Sequence, residues 1–203
     1  MVQIGHNTTS ELWNINYKRM HRFVNKFIPL LNVSRSDVCL DMGEYNPKIE
    51  YIKSRLNLDV IQVDNTDFNF DYFHGLYDVA DVIFALEVVE HLQNPLHFMN
   101  QCKKCLKDGG SIYVTIPCNP KWLWCDGHYN EIPRKHFEKW ILEPLKLKTV
   151  RYKRINFVHD WKGVFIGFRP FMRVLRGEDD WKSLLRKFLY FKYDFYEIKE
   201  IDL

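Results

Sequence analysis

Val38-Cys39-Leu40-Asp41-Met42-Gly43-Glu44-Tyr45-Asn46-Pro47 is the stretch that decides how this chain is read. Its apolar opening has the character of a buried strand, closed by the acid Asp41. A short turn follows, and Pro47 suits the first position of a helix, where a missing N–H costs nothing. A strand, turn and helix in that order put Asp41 and Gly43 at the C-terminal edge of a parallel sheet, where α/β folds bind ligands.

Outward from this stretch, strands and helices alternate. Upstream, Thr8 and Glu11 have capping-box spacing, and Trp13, Tyr17, Met20, Val24 and Phe27 recur at helical spacing, which predicts an amphipathic helix ending near Pro29. Downstream, residues 47–56 read as a short helix with Ile49, Ile52 and Leu56 on one face. Val60-Ile61-Gln62-Val63-Asp64 is a second acid-ended strand. A short third strand is predicted at residues 67–71 and a fourth at residues 80–86. Asn94-Pro95 caps and opens a helix expected to reach Asp108 and stop at Gly109-Gly110. Residues 111–116 form a fifth strand, terminated by Pro117. Beyond it, residues 133–142 look helical, and residues 149–157 and 191–198 look like strands. The alternation predicts an α/β fold with a doubly wound, mostly parallel sheet.

Composition narrows the class. With 46% hydrophobic residues in 203, the chain is a folded globular protein rather than a disordered one. A net charge of +3 gives no nucleic-acid signature. The apolar run Val82-Ile83-Phe84-Ala85-Leu86 is too short to span a bilayer, and residues 1–12 lack the pattern of a signal peptide. The cysteines, Cys39 among them in a core strand, read as reduced thiols, which points to a cytoplasmic protein.

Three strand-end acids, Asp41, Asp64 and Glu87, share one sheet edge in this reading. Asp64 lies about twenty residues beyond the first turn, the spacing at which a carboxylate can accept hydrogen bonds from a ribose diol. Downstream come Glu87-Val88-Val89-Glu90-His91-Leu92, then Asn94-Pro95, and Leu106-Lys107-Asp108-Gly109-Gly110 before a strand. Together these segments resemble the class I S-adenosylmethionine-dependent methyltransferases of the small-molecule branch, over roughly residues 37–142.

The resemblance implies a Rossmann-like fold with an N-terminal helix, S-adenosylmethionine as cofactor, and a role for each matching position. Asp41 and Gly43 would border its methionine part, and Asp64 would take the ribose hydroxyls. Asp67 and Phe68 would flank the adenine, and Leu86 and Glu87 would line the sulfonium side. It also implies one domain over residues 1–203. Residues 1–36 would be a helical extension, 37–117 a cofactor-side half, and 118–203 a substrate-side half with a lid or insertion at 161–190.

One turn departs from the family pattern Asp-x-Gly-x-Gly-x-Gly, because Tyr45 and Pro47 stand at its second and third glycines. Glycine serves where backbone must approach a ligand closely. Tyr45 and Pro47 therefore motivate a competing reading, a methyltransferase-fold protein kept for binding or scaffolding.

His128 and His136, beyond the fifth strand, are the candidate catalytic bases, since imidazole exchanges protons near neutrality. His91 reads as a histidine held by local hydrogen bonds. Cys102 and Cys105, at i and i+3 inside a helix, read as core thiols rather than a zinc knuckle, so no metal site is expected. Trp122, Trp124 and Tyr129 are candidates for an apolar acceptor pocket. The basic and aromatic segment from Trp161 to Lys187 reads as a solvated face over a core-facing stripe, ahead of a membrane-contacting one. The expectation is methyl transfer to a small molecule, a sugar or glycolipid-precursor hydroxyl, with no nucleic-acid partner.

Overall fold

The computed structural model describes residues 20–43, 46–64, 66–118, 127–157, 177 and 191–201. Six strands, β1 (Cys39–Met42), β2 (Val60–Val63), β3 (Ala80–Leu86), β4 (Leu106–Pro117), β5 (Leu147–Phe157) and β6 (Phe191–Glu200), form one sheet of order β2-β1-β3-β4-β6-β5. β2, β1, β3 and β4 run parallel. β6 is antiparallel to both β4 and β5, so the sheet is mixed at that edge.

Strand alternation sorts the core into two faces. Leu40 and Met42 of β1, Ile83 and Ala85 of β3, and Ile112 and Val114 of β4 join one cluster with Phe98, Met99 and Cys102. These last belong to helix α2 (Pro95–Cys105), and a π-helical segment (Phe137–Leu142) covers the same face with Phe137 and Ile141. Cys39, Val82, Phe84, Tyr113 and Phe195 point the other way, onto Val24, Phe27 and the Ile49 and Ile52 side chains of helix α1 (Pro47–Leu56).

An aromatic row crosses that second face. Phe84 stacks on Tyr113 at 5.8 Å, Tyr113 on Phe195 at 5.9 Å, and Phe195 on Phe27 at 5.6 Å. The Tyr113 hydroxyl accepts the Asn32 N–H at 2.9 Å and faces the Asn32 carbonyl at 3.3 Å, which ties the segment before β1 to the sheet.

Several elements differ from the sequence reading, each for a local reason. No strand forms at residues 67–71. The Asp67 carboxylate accepts the Asn69 N–H and Asp71 the Asp67 N–H, so side chains satisfy the backbone that a ladder would have used. Asn69 Oδ1 in turn accepts the N–H groups of Gln93 and Asn94, pinning this loop to the start of α2.

Helix α2 ends at Cys105 rather than Asp108, because Leu106 already pairs with Ala80 of β3. The chain then bulges through Lys107–Gly110 and resumes pairing at Ser111 opposite Val82. A Cβ at Gly110 would lie 2.9 Å from Leu106 Cδ2 and 3.1 Å from the Asp81 carbonyl, so this crowded bulge requires glycine. Of the N-terminal helix, residues 20–24 are described as helical, and Val24 and Phe27 are fully buried as its spacing implied. Residues 1–19, Tyr45, Trp122, Trp124 and the segment from Trp161 to Lys187 apart from Gly177 lie outside the described residues.

Candidate active site

The strand tips of β1 and β3 open onto a cleft of about 530 Å³. Asp41, Met42, Gly43, Asn46 and Pro47 line one side, Leu86, Glu87, Val88, His91 and Leu92 the other, and Thr66 and Phe68 the end toward β2. Each wall has a sequence cause. Gly43 sits at φ +149°, a conformation L side chains rarely adopt, and its N–H reaches the Val63 carbonyl at 3.2 Å. Asn46 caps α1 by accepting the Lys48 N–H at 3.0 Å, and its amide reaches across to the Leu86 carbonyl at 3.4 Å. Pro47 is the first residue of α1, so the missing glycine at that point costs the helix nothing.

Asp41 is buried at 4% exposure and points away from the Met42 face, toward α1. Among the described residues its carboxylate has no hydrogen-bond donor. Burial, reinforced by the Glu50 carboxylate and opposed by Lys53, pushes it up to about 7. A carboxyl held this way at the base of a cleft fits a ligand that brings its own cationic donor.

Glu87 adopts φ +58°, and its N–H is shared between the Thr115 carbonyl at 3.2 Å and the Thr115 hydroxyl at 3.1 Å. Its carboxylate is ion-paired with Lys48 of α1. The sequence reading named Glu87 without a partner, and the structure supplies its counterion in Lys48. Phe68 stands in the cleft wall, held edge-on by Phe73 at 5.7 Å and Phe98 at 5.4 Å. Asp64 is exposed just beyond the end of β2, and Asp67 is exposed with its carboxylate spent on the Asn69 N–H. Neither of these two carboxylates belongs to the cleft wall.

A second pocket of about 400 Å³ is lined by Gln93, Asn130, Glu131, Pro133, His136 and Trp140, among others. His136 is exposed and stacks flat on Trp140 at 4.1 Å, while Tyr129 is 56% exposed and lines neither cavity. His128 sits in a different environment: its side chain is 12% exposed and holds Nδ1 2.9 Å from the Glu131 carboxylate, which is itself almost fully enclosed. Its ring meets that of His91 edge-on at 4.8 Å. The two candidate bases therefore differ, one oriented by a carboxylate and the other presented on an aromatic plate.

His91 and Glu90 were undervalued in the sequence. His91 lines the cleft from a 3₁₀ turn (Val89–His91), with Nδ1 against the Gly127 carbonyl at 3.1 Å. Glu90 is 1% exposed, and burial first, then the neighbouring Glu87, hold it well above the ordinary carboxylate range. The signal was present in Glu-Val-Val-Glu-His, but which of its two acids is buried depends on the loop from Gly127 onward, whose Tyr129 and Asn130 N–H groups reach the Glu90 carbonyl. The two helix cysteines are core thiols by the same physics: Cys102 and Cys105 are buried, and burial pushes the Cys105 thiol up to about 12.

The methyltransferase domain family matches residues 18–159, more than two thirds of the chain. The chain belongs to this family. The fold of this methyltransferase domain is also that of solved enzymes. It superposes on a SAM-dependent methyltransferase from Archaeoglobus fulgidus with a TM-score of 0.57 at 17% identity, over 95% of this chain and 100% of the other. A phosphoethanolamine N-methyltransferase from Haemonchus contortus, solved with S-adenosyl-L-methionine, gives 0.57 at 14% identity, over 94% of this chain and 53% of the other. The architecture is therefore that of the class I S-adenosylmethionine-dependent methyltransferases.

In sequence, the chain is 32% identical over 89 residues to a ubiquinone biosynthesis O-methyltransferase from Erwinia tasmaniensis, covering 41% of this chain. It is 34% identical over 87 residues to the enzyme of that name from Marinobacter nauticus, covering 40% of this chain. The match spans 35% of the length of each of these relatives. Among the described residues, no helix is long and apolar enough to cross a membrane.

Proposed function

We propose that this methyltransferase moves a methyl group from S-adenosylmethionine to a hydroxyl of a small organic acceptor. The observation that carries the reading is Asp41, a buried carboxyl without a donor among the described residues, at the base of a cleft of about 530 Å³ between two strand tips. In this reading Asp41 accepts the amino group of the cofactor's methionine part, beside the close backbone at Gly43. Phe68 and Asp67 flank the adenine, and Asp64 serves the ribose end from outside the wall. Leu86 and Glu87 border the sulfonium. The bound cofactor supplies an electrophilic methyl group on a cationic sulfur. What remains for the protein is alignment and exclusion of water.

The hydroxyl acceptor is supported by the partial likeness to two O-methyltransferases. It is also supported by the second pocket, where Trp140 and Pro133 offer apolar contact and the Glu131–His128 pair lies alongside. Glu131 taking the Nδ1–H leaves His128 Nε2 as a lone pair for a hydroxyl proton. Sugar and glycolipid-precursor hydroxyls remain within this class, as do phenols. The reading makes residues 37–117 the cofactor side and residues 118–203 the acceptor side of one domain. Methyl transfer from labelled S-adenosylmethionine to a panel of phenols, sugars and amines tests it. Labelled ether in the phenol or sugar arms is expected, and labelling confined to amines would overturn the acceptor class.

A further inference from the structure

The β6–β5 end of the sheet carries a fixed group of cations that methyl transfer itself does not use. β6 is antiparallel to β4, so its first residues lie beside the tip of β4, and the Cys118 N–H reaches the Lys192 carbonyl at 2.7 Å. Register places Arg154 of β5 opposite Asp194 and Asn156 opposite Lys192. Alternation along β6 puts Lys192, Asp194 and Tyr196 on one face.

Two guanidinium groups meet at Tyr152. Arg134 lies over its ring, Cζ 3.9 Å from the centroid, and donates Nε to Glu138 at 2.9 Å. Arg154 donates Nε to Asp194 Oδ1 at 2.7 Å and Nη2 to Oδ2 at 2.9 Å, and the Tyr152 hydroxyl donates to the same Oδ1 at 2.9 Å. Asp194 is buried, whereas the side chains of Arg134 and Arg154 are 43% and 45% exposed. A paired acid beneath a surface cation adds little stability over an apolar pair of the same volume. What it does is hold the planar fork in place, so that its rotamer freedom is already spent before a ligand arrives. Among the described residues, both Nη atoms of Arg134 and Nη1 of Arg154 donate to nothing, and the exposed Lys192 makes no ion pair.

The group adjoins the second pocket. Arg134 stands between Pro133 and His136, which both line that pocket. Cys118 approaches from β4, its Sγ 3.4 Å from Arg154 Nη2. Burial first, then Asp194 and also the pocket acid Glu131, raise this thiol, so it is within electrostatic reach of both.

We propose that Arg134, Arg154 and Lys192 bind a phosphate group carried by the acceptor, beside the pocket that receives its hydroxyl. One bidentate guanidinium satisfies a carboxylate, but the terminal oxygens of a phosphate take donors from several directions at once. This deepens the acceptor reading above and rests on it: the acceptor is a phosphorylated molecule, either soluble, as a sugar phosphate is, or borne on a lipid. Binding the phosphate away from the reacting hydroxyl anchors the molecule while the hydroxyl is placed against the methyl group.

Calorimetric titration of the full chain with glucose 1-phosphate and phenyl phosphate, against glucose and phenol, tests the soluble source. Sedimentation with phosphatidylcholine vesicles containing phosphatidic acid, against phosphatidylcholine alone, tests the lipid source. Saturable binding is expected in one of the two sets, about tenfold or more tighter than to the neutral counterpart. It should weaken by about tenfold or more in Arg134→Gln, the scale of hydrogen bonds to a charged group, and stay unchanged in Arg55→Gln, a surface arginine of α1. Arg154→Gln leaves Asp194 buried and unpaired, so where that variant fails to fold, Arg134→Gln and Lys192→Gln at exposed positions decide the matter. No preference for phosphate in either set, or binding indifferent to both of these variants, would overturn the proposal. Methyl transfer by the same samples separates the claims. Ether formed on neutral acceptors with no preference for phosphate defeats the subsite alone, while phosphate binding that the variants weaken, with no ether formed, defeats the acceptor reading alone.

Discussion

The Lys48 ammonium, in the first turn of α1, is ion-paired with the Glu87 carboxylate at the tip of β3, so the two walls of the cleft are joined by a charge pair. Both side chains are about one fifth exposed, at 19% and 22%. On the proposed reading, the pair sets how much negative charge the cleft presents to a sulfonium.

Replacing Lys48 by Met leaves Glu87 uncompensated. Cationic S-adenosylmethionine should then gain over neutral S-adenosylhomocysteine by about fivefold in relative affinity, the scale of roughly 1 kcal/mol for a partly exposed pair. Glu87→Gln should shift the ratio the other way. Paired calorimetric titrations check this, and an unchanged ratio in both variants would remove Glu87 from the sulfonium side.

Asp41 yields a pH dependence with a definite sign. Its folded value, about 7, lies above the ordinary 3.8, so its contribution to stability is fully present below 3.8 and is lost as pH rises through about 7. Ionised at about pH 8, it opposes folding by at most about 4 kcal/mol. Asp41→Asn should therefore raise the melting temperature at that pH and leave it nearly unchanged in strong acid. The same substitution should weaken S-adenosylmethionine binding by roughly tenfold or more, the worth of a hydrogen bond to a charged group. Wild-type affinity should rise as pH passes up through about 7, and the variant should lack that rise.

Gly43→Ala places a Cβ 3.4 Å from Val88 Cγ2 on a backbone at φ +149°. The conformation rather than the contact is the obstacle, and a loss of about 1–2 kcal/mol in urea unfolding is expected. A neutral outcome would show that the turn relaxes at little cost.

Tyr113→Phe removes the hydroxyl that serves both backbone groups of Asn32 while keeping the ring in the aromatic row. The expected cost is about 1–2 kcal/mol, with faster amide exchange around Asn32. Unchanged exchange there would mean that the segment before β1 is held by Phe27 alone.

Much of this was legible because the pattern was local. Pro47–Leu56 forms as its apolar face at Ile49 and Ile52 implies, and Ala80–Leu86 is the uninterrupted buried strand its composition suggests. The boundaries that shifted did so through contacts distant in sequence. Leu106 leaves its helix because Ala80 offers a strand partner, and residues 67–71 turn because Asp67 and Asp71 satisfy backbone donors. In the site, the cleft acids Asp41 and Glu87 could be read from strand ends. Lys48 as counterion could not, since it sits 39 positions away from Glu87. The place of His91 in the cleft wall was hidden for the same reason, as its orientation depends on the Gly127 carbonyl.

Titration of the chain with S-adenosylhomocysteine by calorimetry tests the central claim most directly. The account expects one site per chain, weakened by roughly tenfold or more in Asp41→Asn while that variant stays folded. Absence of binding at millimolar ligand, or binding indifferent to Asp41, would contradict it.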